Sequence, residues 1–354
     1  QAIPFNKENF KQIFSKQFFL VILISIPSSI VAEFFNIPLA WFLGPMLVTS
    51  LASLMGLKII MPRLVLSSIL ILLGLYIGNY IDKDLFAQIH QWAWTSLIML
   101  VYIILSVLIV SKYLQIFSKY DRKTSIFSAA PGALGPLMIL AEDEKSDLSQ
   151  VATSHLIRLI IIISIFPFIV NSFYDVDGVK ITQEIIENQS LSHLFILITF
   201  SIILIYLFDK LKIPAALLSG TLVASGFLQI TEIATYQISP NIIDYCLLIL
   251  GASVGCRFAD KTFNEIGRNA LHSFVATFLL VVLGIIAALA ASLIIDKNFF
   301  TLLLSYCPGG IYEVAVIAIF FNLDPEFVSF HHIIRLLMIL FIVPIILKII
   351  SKRA

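Results

Sequence analysis

Apolar runs of roughly 20 residues recur along the whole chain, each long enough to cross roughly 30 Å of hydrocarbon as a helix. Short polar turns part them. Six can be read in the first half, at about 17–35, 37–56, 63–81, 91–116, 124–141 and 150–173. Six more follow at about 192–208, 213–230, 242–258, 270–295, 300–321 and 327–350. The one sizeable polar stretch, YDVDGVKITQEIIENQS at 174–190, reads as an acidic linker. The chain therefore divides into a first membrane repeat (1–173), the linker, and a second membrane repeat (191–354).

The two halves share a sequence frame. In one ungapped register Ser128 meets Ser305, Pro131-Gly132 meets Pro308-Gly309, His155 meets His332, Arg158 meets Arg335 and Pro167 meets Pro344. Leu73-Gly74 and Gly78 match Leu250-Gly251 and Gly255 in the same register. Ile37-Pro38 and Gly44 match Ile213-Pro214 and Gly220 with the register moved by a single position. Apolar runs align by chance; His-x-x-Arg and Pro-Gly in one frame do not. The halves read as an internal duplication.

Composition excludes a water-soluble globule. Apolar residues make up 59% of the 354 and charged residues 13%, with a mean hydropathy of +1.00, whereas a soluble domain is about 25% charged. The net charge of +1 carries no message about acidic partners, but the placement of Lys and Arg does. Twelve full crossings would strand Arg257, Lys261 and Arg268 outside. If the fifth segment of each half enters and leaves by one face, only Lys83, Lys180 and Lys297 remain outside, with the linker. The expectation is an all-α polytopic membrane protein built of two inverted repeats. It has about ten full transmembrane helices plus two broken or re-entrant segments, and both termini are cytoplasmic. The chain starts at Gln1 rather than Met, which reads as a trimmed terminus rather than a signal peptide.

The fifth segments carry their own signal. Ser128-Ala-Ala-Pro131-Gly132 and Ser305-Tyr-Cys-Pro308-Gly309-Gly310 set Pro-Gly in mid-segment. Proline removes an amide donor and glycine permits a reversal. In lipid such backbone survives where it is buried in protein or lines a wet cavity, and paired interruptions mark the midplane site of many secondary transporters.

Charge lies nearby. Arg158 and Arg335 sit well inside apolar helices, where a charged side chain costs at least about 2.5–3.5 kcal/mol and is usually functional and partnered. His155 and His332 precede them by three residues, on the same helix face. The arginines read either as an anion site assisted by half-helix N-termini or as members of salt bridges, Arg335 with Glu313 and Arg158 with the acidic run 142–147. Glu313, which faces Pro136 in the repeat frame, reads as a proton- or sodium-coupling carboxylate or as the counter-ion of Arg335. Ser128 and Ser305 read as half-helix caps or substrate contacts. Gly74, Gly78, Gly251 and Gly255 read as close-packing positions, and Trp92 and Trp94 as interfacial belt residues.

Enzyme readings find little support. His90, His155, His193, His272, His331 and His332 are scattered, and no CxxC, GxGxxG, Walker or GxSxG motif occurs. Neither a catalytic residue, a metal ligand set nor a cofactor is expected, and no soluble basic domain is available to grip nucleic acid.

At these residues the chain resembles a family. The block APGALGPLMILAEDEKSDLSQVATSHLIRLIIIISIFP and its echo CPGGIYEVAVIAIFFNLDPEFVSFHHIIRLLMILFIVP, with IPLAWFLGPML and LLGLYIG, resemble the AbrB family of bacterial membrane proteins. The resemblance implies an internally duplicated protein of the bacterial plasma membrane. Family labels point to regulation of gene expression or to ammonia oxidation, and no redox centre for the latter is visible. The repeat plan is also similar to the cation/proton antiporter and bile-acid symporter superfamily, which implies crossed broken helices, a homodimer and a lipid bilayer as surroundings. The expected function is a secondary transporter of a small anionic or zwitterionic solute, coupled to protons or sodium. Its substrate would be bound by Ser128, Pro131, Gly132, His155, Arg158, Ser305, Pro308, Gly309, Gly310, His332 and Arg335, with Glu313 coupling the ion. The alternative is a membrane-embedded protein that regulates gene expression indirectly.

Overall fold

A computed structural model describes residues 7–81, 83–173, 190–234, 236, 238, 239 and 242–351. The linker expected at 174–190 lies outside the described residues except for Ser190. Among the described residues all regular structure is helical. The first half gives α1 (Lys7–Ile13), α2 (Lys16–Phe34), α3 (Ala40–Leu54), α4 (Arg63–Gly78), α5 (Lys83–Phe117), α6 (Arg122–Ala129), α7 (Leu134–Asp143) and α8 (Leu148–Phe173). The second gives α9 (Leu191–Lys210), α10 (Ala216–Ile230), α11 (Ile242–Cys256), α12 (Phe263–Ser292), α13 (Phe299–Tyr306), α14 (Ile311–Phe320) and α15 (Pro325–Ser351).

Among the described residues six stretches are long and apolar enough to cross a membrane: Asn9–Phe34, Gln91–Phe117, Leu148–Phe173, Leu191–Lys210, Asn269–Ser292 and Pro325–Ile349. The protein is thus a multi-pass membrane protein. Four further apolar helices (α3, α4, α10 and α11) have 15 or 16 residues. At 1.5 Å per residue they rise about 22–24 Å, short of a hydrocarbon core of about 30 Å. The shortening has a local cause in α3 and α10. Asn36 and Leu39 flank Ile37-Pro38 with φ of 52° and 54°, and Lys212 and Ala215 flank Ile213-Pro214 with φ of 56° and 54°. Ile37 N donates to Ala32 O at 3.0 Å and Ile213 N to Phe208 O at 2.8 Å, the five-residue closure of a Schellman turn. Each segment therefore spends its first residues on a turn.

The chain forms two compact units, and each draws on both halves. The first holds Gln1–Ala87, Pro167–Thr262 and Val316–Glu326; the second holds Gln88–Phe166, Phe263–Ala315 and Phe327–Ala354.

In the first unit α3 packs on α11 and α4 packs on α10, while α2 lies against α3 and α9 against α10. Glycines set these crossings. A Cβ on Gly251 would collide with the Phe42 carbonyl, and one on Gly74 with the Leu218 carbonyl and the Thr221 side chain. Gly255 is closed off in the same way by Thr49 and Ser50, and Gly78 by Ser225 and the Leu222 carbonyl. Hydroxyls cross the same seams. Ser225 Oγ donates to Leu75 O at 2.9 Å, and Ser53 Oγ donates to Gly255 O at 3.0 Å. This is the close packing that small residues four apart permit.

The second unit contains most of α5, then α6, α7, most of α8, α12, α13, the start of α14 and most of α15. One apolar cluster joins Val110, Leu114, Tyr120 and Ala129 to Ala276 and Leu280. The tryptophan expectation divides. Trp94 is exposed, but Trp92 is buried between Phe327 and Phe330, with ring centroids 5.2 and 4.9 Å away. It packs as a core residue rather than a belt residue, because α15 supplies an aromatic face that α5 alone does not reveal.

Candidate functional site

The site lies in the second unit, where helix stops at each Pro-Gly. Asp121 opens α6, its carboxylate accepting from Lys123 N and Thr124 N at 2.9 and 3.0 Å. Asn298, its equivalent in the repeat frame, opens α13 by accepting from Phe300 N at 2.8 Å. These are N-caps, and eight helical residues follow each. Residues 130–133 and 307–310 are then non-helical before α7 and α14 begin. Proline at the second of these positions cannot donate, so the last carbonyls of α6 and α13 need other partners in an apolar interior.

The long helices provide them. Arg158, from α8, donates through Nη1 to Ala130 O at 2.6 Å and through Nη2 to Ser128 O. Arg335, from α15, donates through Nη1 to Cys307 O and through Nη2 to Gly309 O at 2.7 Å. The histidines one turn earlier act alike: His155 Nε2 donates to Phe127 O and His332 Nε2 to Leu304 O, each at 3.0 Å. The two histidine partners are equivalent positions of the repeat frame, and so are the two Nη1 partners. His332 Nδ1 then accepts from Arg335 Nη2 at 3.0 Å, so this imidazole is the neutral Nε2–H tautomer. Both arginines are at most 2% exposed.

The guanidiniums are held by backbone carbonyls, not by the carboxylates that the salt-bridge reading required. The acidic run has another role: Glu144 pairs with Lys123 at 2.6 Å, at the exposed end of α7. The carboxylate of Glu313 is buried and turned back onto Gly310, where Oε2 fills the space a Cβ would need. Gly310 precedes the first residue of α14 and Glu313 is its third, the spacing at which a glutamate folds back over a helix start.

The breaks differ in detail. Gly132 has a φ of +111° and Ala133 of 61°, whereas Gly309 and Gly310 lie outside the left-handed region. Ser305 Oγ donates to Thr301 O at 2.8 Å within its own helix. Ser128 Oγ is fully buried and has no hydrogen-bond partner. Pro131 and Pro308 stand in the two interruptions. A Cβ on Gly132 would lie 3.1 Å from Nη2 of Arg335, so the guanidinium that ties the second break also touches the first. Arg158 and Arg335 are within electrostatic reach of each other. The Nε–H of each is buried without a partner.

Sequence reasoning missed Tyr102. This α5 side chain is 2% exposed and lies edge-on to Tyr306, with ring centroids 6.2 Å apart. It is within electrostatic reach of both guanidiniums, and its hydroxyl makes no hydrogen bond of good geometry. A tyrosine in an apolar run carries no signal by itself. His331 belongs to a separate network: its Nε2 meets Thr95 Oγ1 at 2.8 Å, its Nδ1 meets Phe327 O at 2.9 Å, and Tyr306 Oη donates to Thr95 O at 2.8 Å. Among the described residues no three His, Cys, Asp or Glu side chains are grouped to hold a metal ion, and Cys246, Cys256 and Cys307 are free thiols.

Fold and site together define a helical, multi-pass membrane protein with a buried arginine–histidine site at two helix interruptions. The chain belongs to the AbrB family: the family described as "Transition state regulatory protein AbrB" matches residues 8–351. Among its relatives is "Putative regulator AbrB" of Escherichia coli (strain K12), 24% identical over 323 residues, covering 90% of this chain and 92% of the relative. Another is "Uncharacterized protein YhjN" of Bacillus subtilis (strain 168), 22% identical over 290 residues, covering 77% and 75%. No solved structure matches the chain.

Proposed function

We propose that the protein is a secondary active transporter of a small anionic solute, working by alternating access around the interruptions at Pro131-Gly132 and Pro308-Gly309. One observation carries the reading. Two buried guanidiniums within reach of each other are tied only to neutral groups, and each keeps an unpartnered Nε–H. Charge in a membrane interior is costly and marks substrate or ion pathways, and a donor left unsatisfied in a buried site awaits a partner. An anion would relieve the mutual repulsion and fill both donors. Glu313, seated at the start of α14, is the coupling carboxylate for a proton or sodium ion in this reading, and His155 and His332 hold the breaks.

The placement of Lys and Arg supports inverted repeats, ten crossings, two re-entrant segments and cytoplasmic termini in a bacterial plasma membrane. Caps, carbonyl partners and glycine contacts recur at equivalent positions of the repeat frame, which is what a pseudo-twofold relation between repeats would produce. A second reading, indirect regulation of gene expression from within the membrane, is favoured by the regulator named in the family description and in the Escherichia coli relative.

Reconstituted protein in liposomes separates the two. Under an inward proton or sodium gradient, a panel of carboxylates, phosphate, sulfate and amino acids is tested for uptake against empty liposomes. Transport requires gradient-dependent uptake of at least one anion. No uptake of any solute, together with a stoichiometric protein partner on purification, would replace it with regulation.

A further inference from the structure

The two long helices that tie the interruptions differ in what they carry between their outer ends and their arginines. On α8, Gln150, Ser154 and Arg158 stand four residues apart, which aligns them in one row along the helix. Thr153 flanks Gln150 one turn on. Gln150 Oε1, Thr153 Oγ1, Ser154 Oγ and Arg158 Nε are all buried without a hydrogen-bond partner. The row starts in the first turn of α8, where Gln150 N donates to the Asp147 carboxylate at 3.0 Å, and it rises about 12 Å to Arg158. In the repeat frame Gln150, Thr153 and Ser154 correspond to Phe327, Phe330 and His331 of α15. There the approach to the arginine is a closed aromatic stack. The Trp92 ring lies 5.2, 4.9 and 6.3 Å from those three rings, and the His331 ring lies 4.1 Å from that of Phe327. Both nitrogens of His331 are bonded, to Thr95 and to Phe327 O. Trp92 Nε1 is unpartnered in the stack; Ser329 Oγ is unpartnered too, but Ser329 is two residues from both Phe327 and His331 and so lies off the stacked face. All these residues belong to the second unit.

Wetting has opposite consequences on the two sides. Buried polar atoms without partners are costly, and water or a polar solute removes that cost. Packed aromatic rings lose their burial and gain little in return. We propose that the solute reaches Arg158 along the α8 row, with Gln150, Thr153 and Ser154 as the polar lining of its path, and that the Trp92 stack seals the matching approach to Arg335. The row is shut from solvent in this structure and is wetted as the site opens. In the topology proposed above, the α8 end is cytoplasmic, so the site exchanges more readily with the cytoplasm. The inference rests on the transport reading and adds to it the route and the sealed side.

The test is cysteine reactivity in the purified full-length protein, in a background without Cys246, Cys256 and Cys307. Ser154→Cys and Thr95→Cys are both small exchanges at buried positions, one in the row and one bonded into the stack. Each is treated with sulfonatoethyl methanethiosulfonate, a charged reagent, and its rate is divided by that of the same variant unfolded in dodecyl sulfate. Ser154→Cys should react about tenfold faster or more, because labelling follows the population of locally opened forms. Adding Gln150→Met, which keeps the volume but not the amide, should slow Ser154→Cys by about threefold or more. Melting temperatures show that each variant is folded, and Phe330→Cys takes the place of Thr95→Cys if the latter is not. Equal rates at the two positions, no reaction of folded Ser154→Cys, or a rate untouched by Gln150→Met would overturn the route. Any of these alongside anion uptake by liposomes would leave the transport reading in place. A reactive row with no uptake of any solute would instead overturn the transport reading, and the solute route with it.

Discussion

Arg335 hydrogen-bonds Gly309 O at 2.7 Å, and its same nitrogen lies 3.1 Å from where a Cβ would stand on Gly132. A single guanidinium thus secures one helix interruption and sets how closely the other can approach. Gly132 has little freedom to change, since its φ of +111° is one that side chains rarely adopt. Gly132→Ala should lower stability by about 1–3 kcal/mol, read as an earlier unfolding midpoint in detergent. Gly135→Ala, where nothing lies within 4 Å of the added carbon, should leave the midpoint near wild type.

Removing either arginine exposes the carbonyls it holds. Each orphaned buried group costs about 1–3 kcal/mol, so Arg158→Ala and Arg335→Ala should both destabilise the protein, Arg335→Ala the more because that side chain also bonds His332. Lysine carries the charge but cannot place two donors in a fixed fork. Arg335→Lys should therefore fall between alanine and wild type in the same unfolding assay. Equal stability of all three would mean that the interruptions hold without the clamps.

The helix crossings of the first unit make a paired prediction. Gly74→Ala and Gly251→Ala drive a methyl into backbone carbonyls of Leu218 and Phe42, which cannot swing aside as a side chain end can. Both should cost about 1–3 kcal/mol, as overpacking does. Gly267→Ala is the control: its added carbon meets nothing, it lies inside α12, and it should be neutral or gain up to about 1 kcal/mol.

Much of this was legible in the residues. Pro131-Gly132 and Pro308-Gly309 mark where helix stops, because proline and glycine act on the backbone locally. His-x-x-Arg marks the buried polar face, because charge in an apolar helix stands out. The partners were not legible. Reasoning from side chains sought carboxylates for Arg158 and Arg335, but their partners are carbonyls, which every residue carries and no sequence distinguishes. Tyr102 and Trp92 were missed or misplaced for a related reason: both lie on α5 in the first half, and their surroundings come from α13 and α15 in the second.

Topology has its own outcome. In a background without Cys246, Cys256 and Cys307, a single cysteine at Ser190 should react with an impermeant maleimide added to intact cells, and one at Ser351 only after the membrane is permeabilised. Ser190 is exposed, so it is open to the reagent. Reaction of both cysteines in intact cells, or of neither before permeabilisation, would rule out the inverted arrangement and the charge argument behind it.

The central claim is that Arg158 and Arg335 jointly hold an anion, and equilibrium titration calorimetry tests it most directly. The oxyanion that binds wild type best is titrated into Arg158→Lys and Arg335→Lys, each first shown to be folded. Each should lose about tenfold or more in affinity, because lysine has no Nε–H to offer at the buried position. Affinity unchanged in both variants would place the anion elsewhere and leave the two arginines as clamps on the helix interruptions alone.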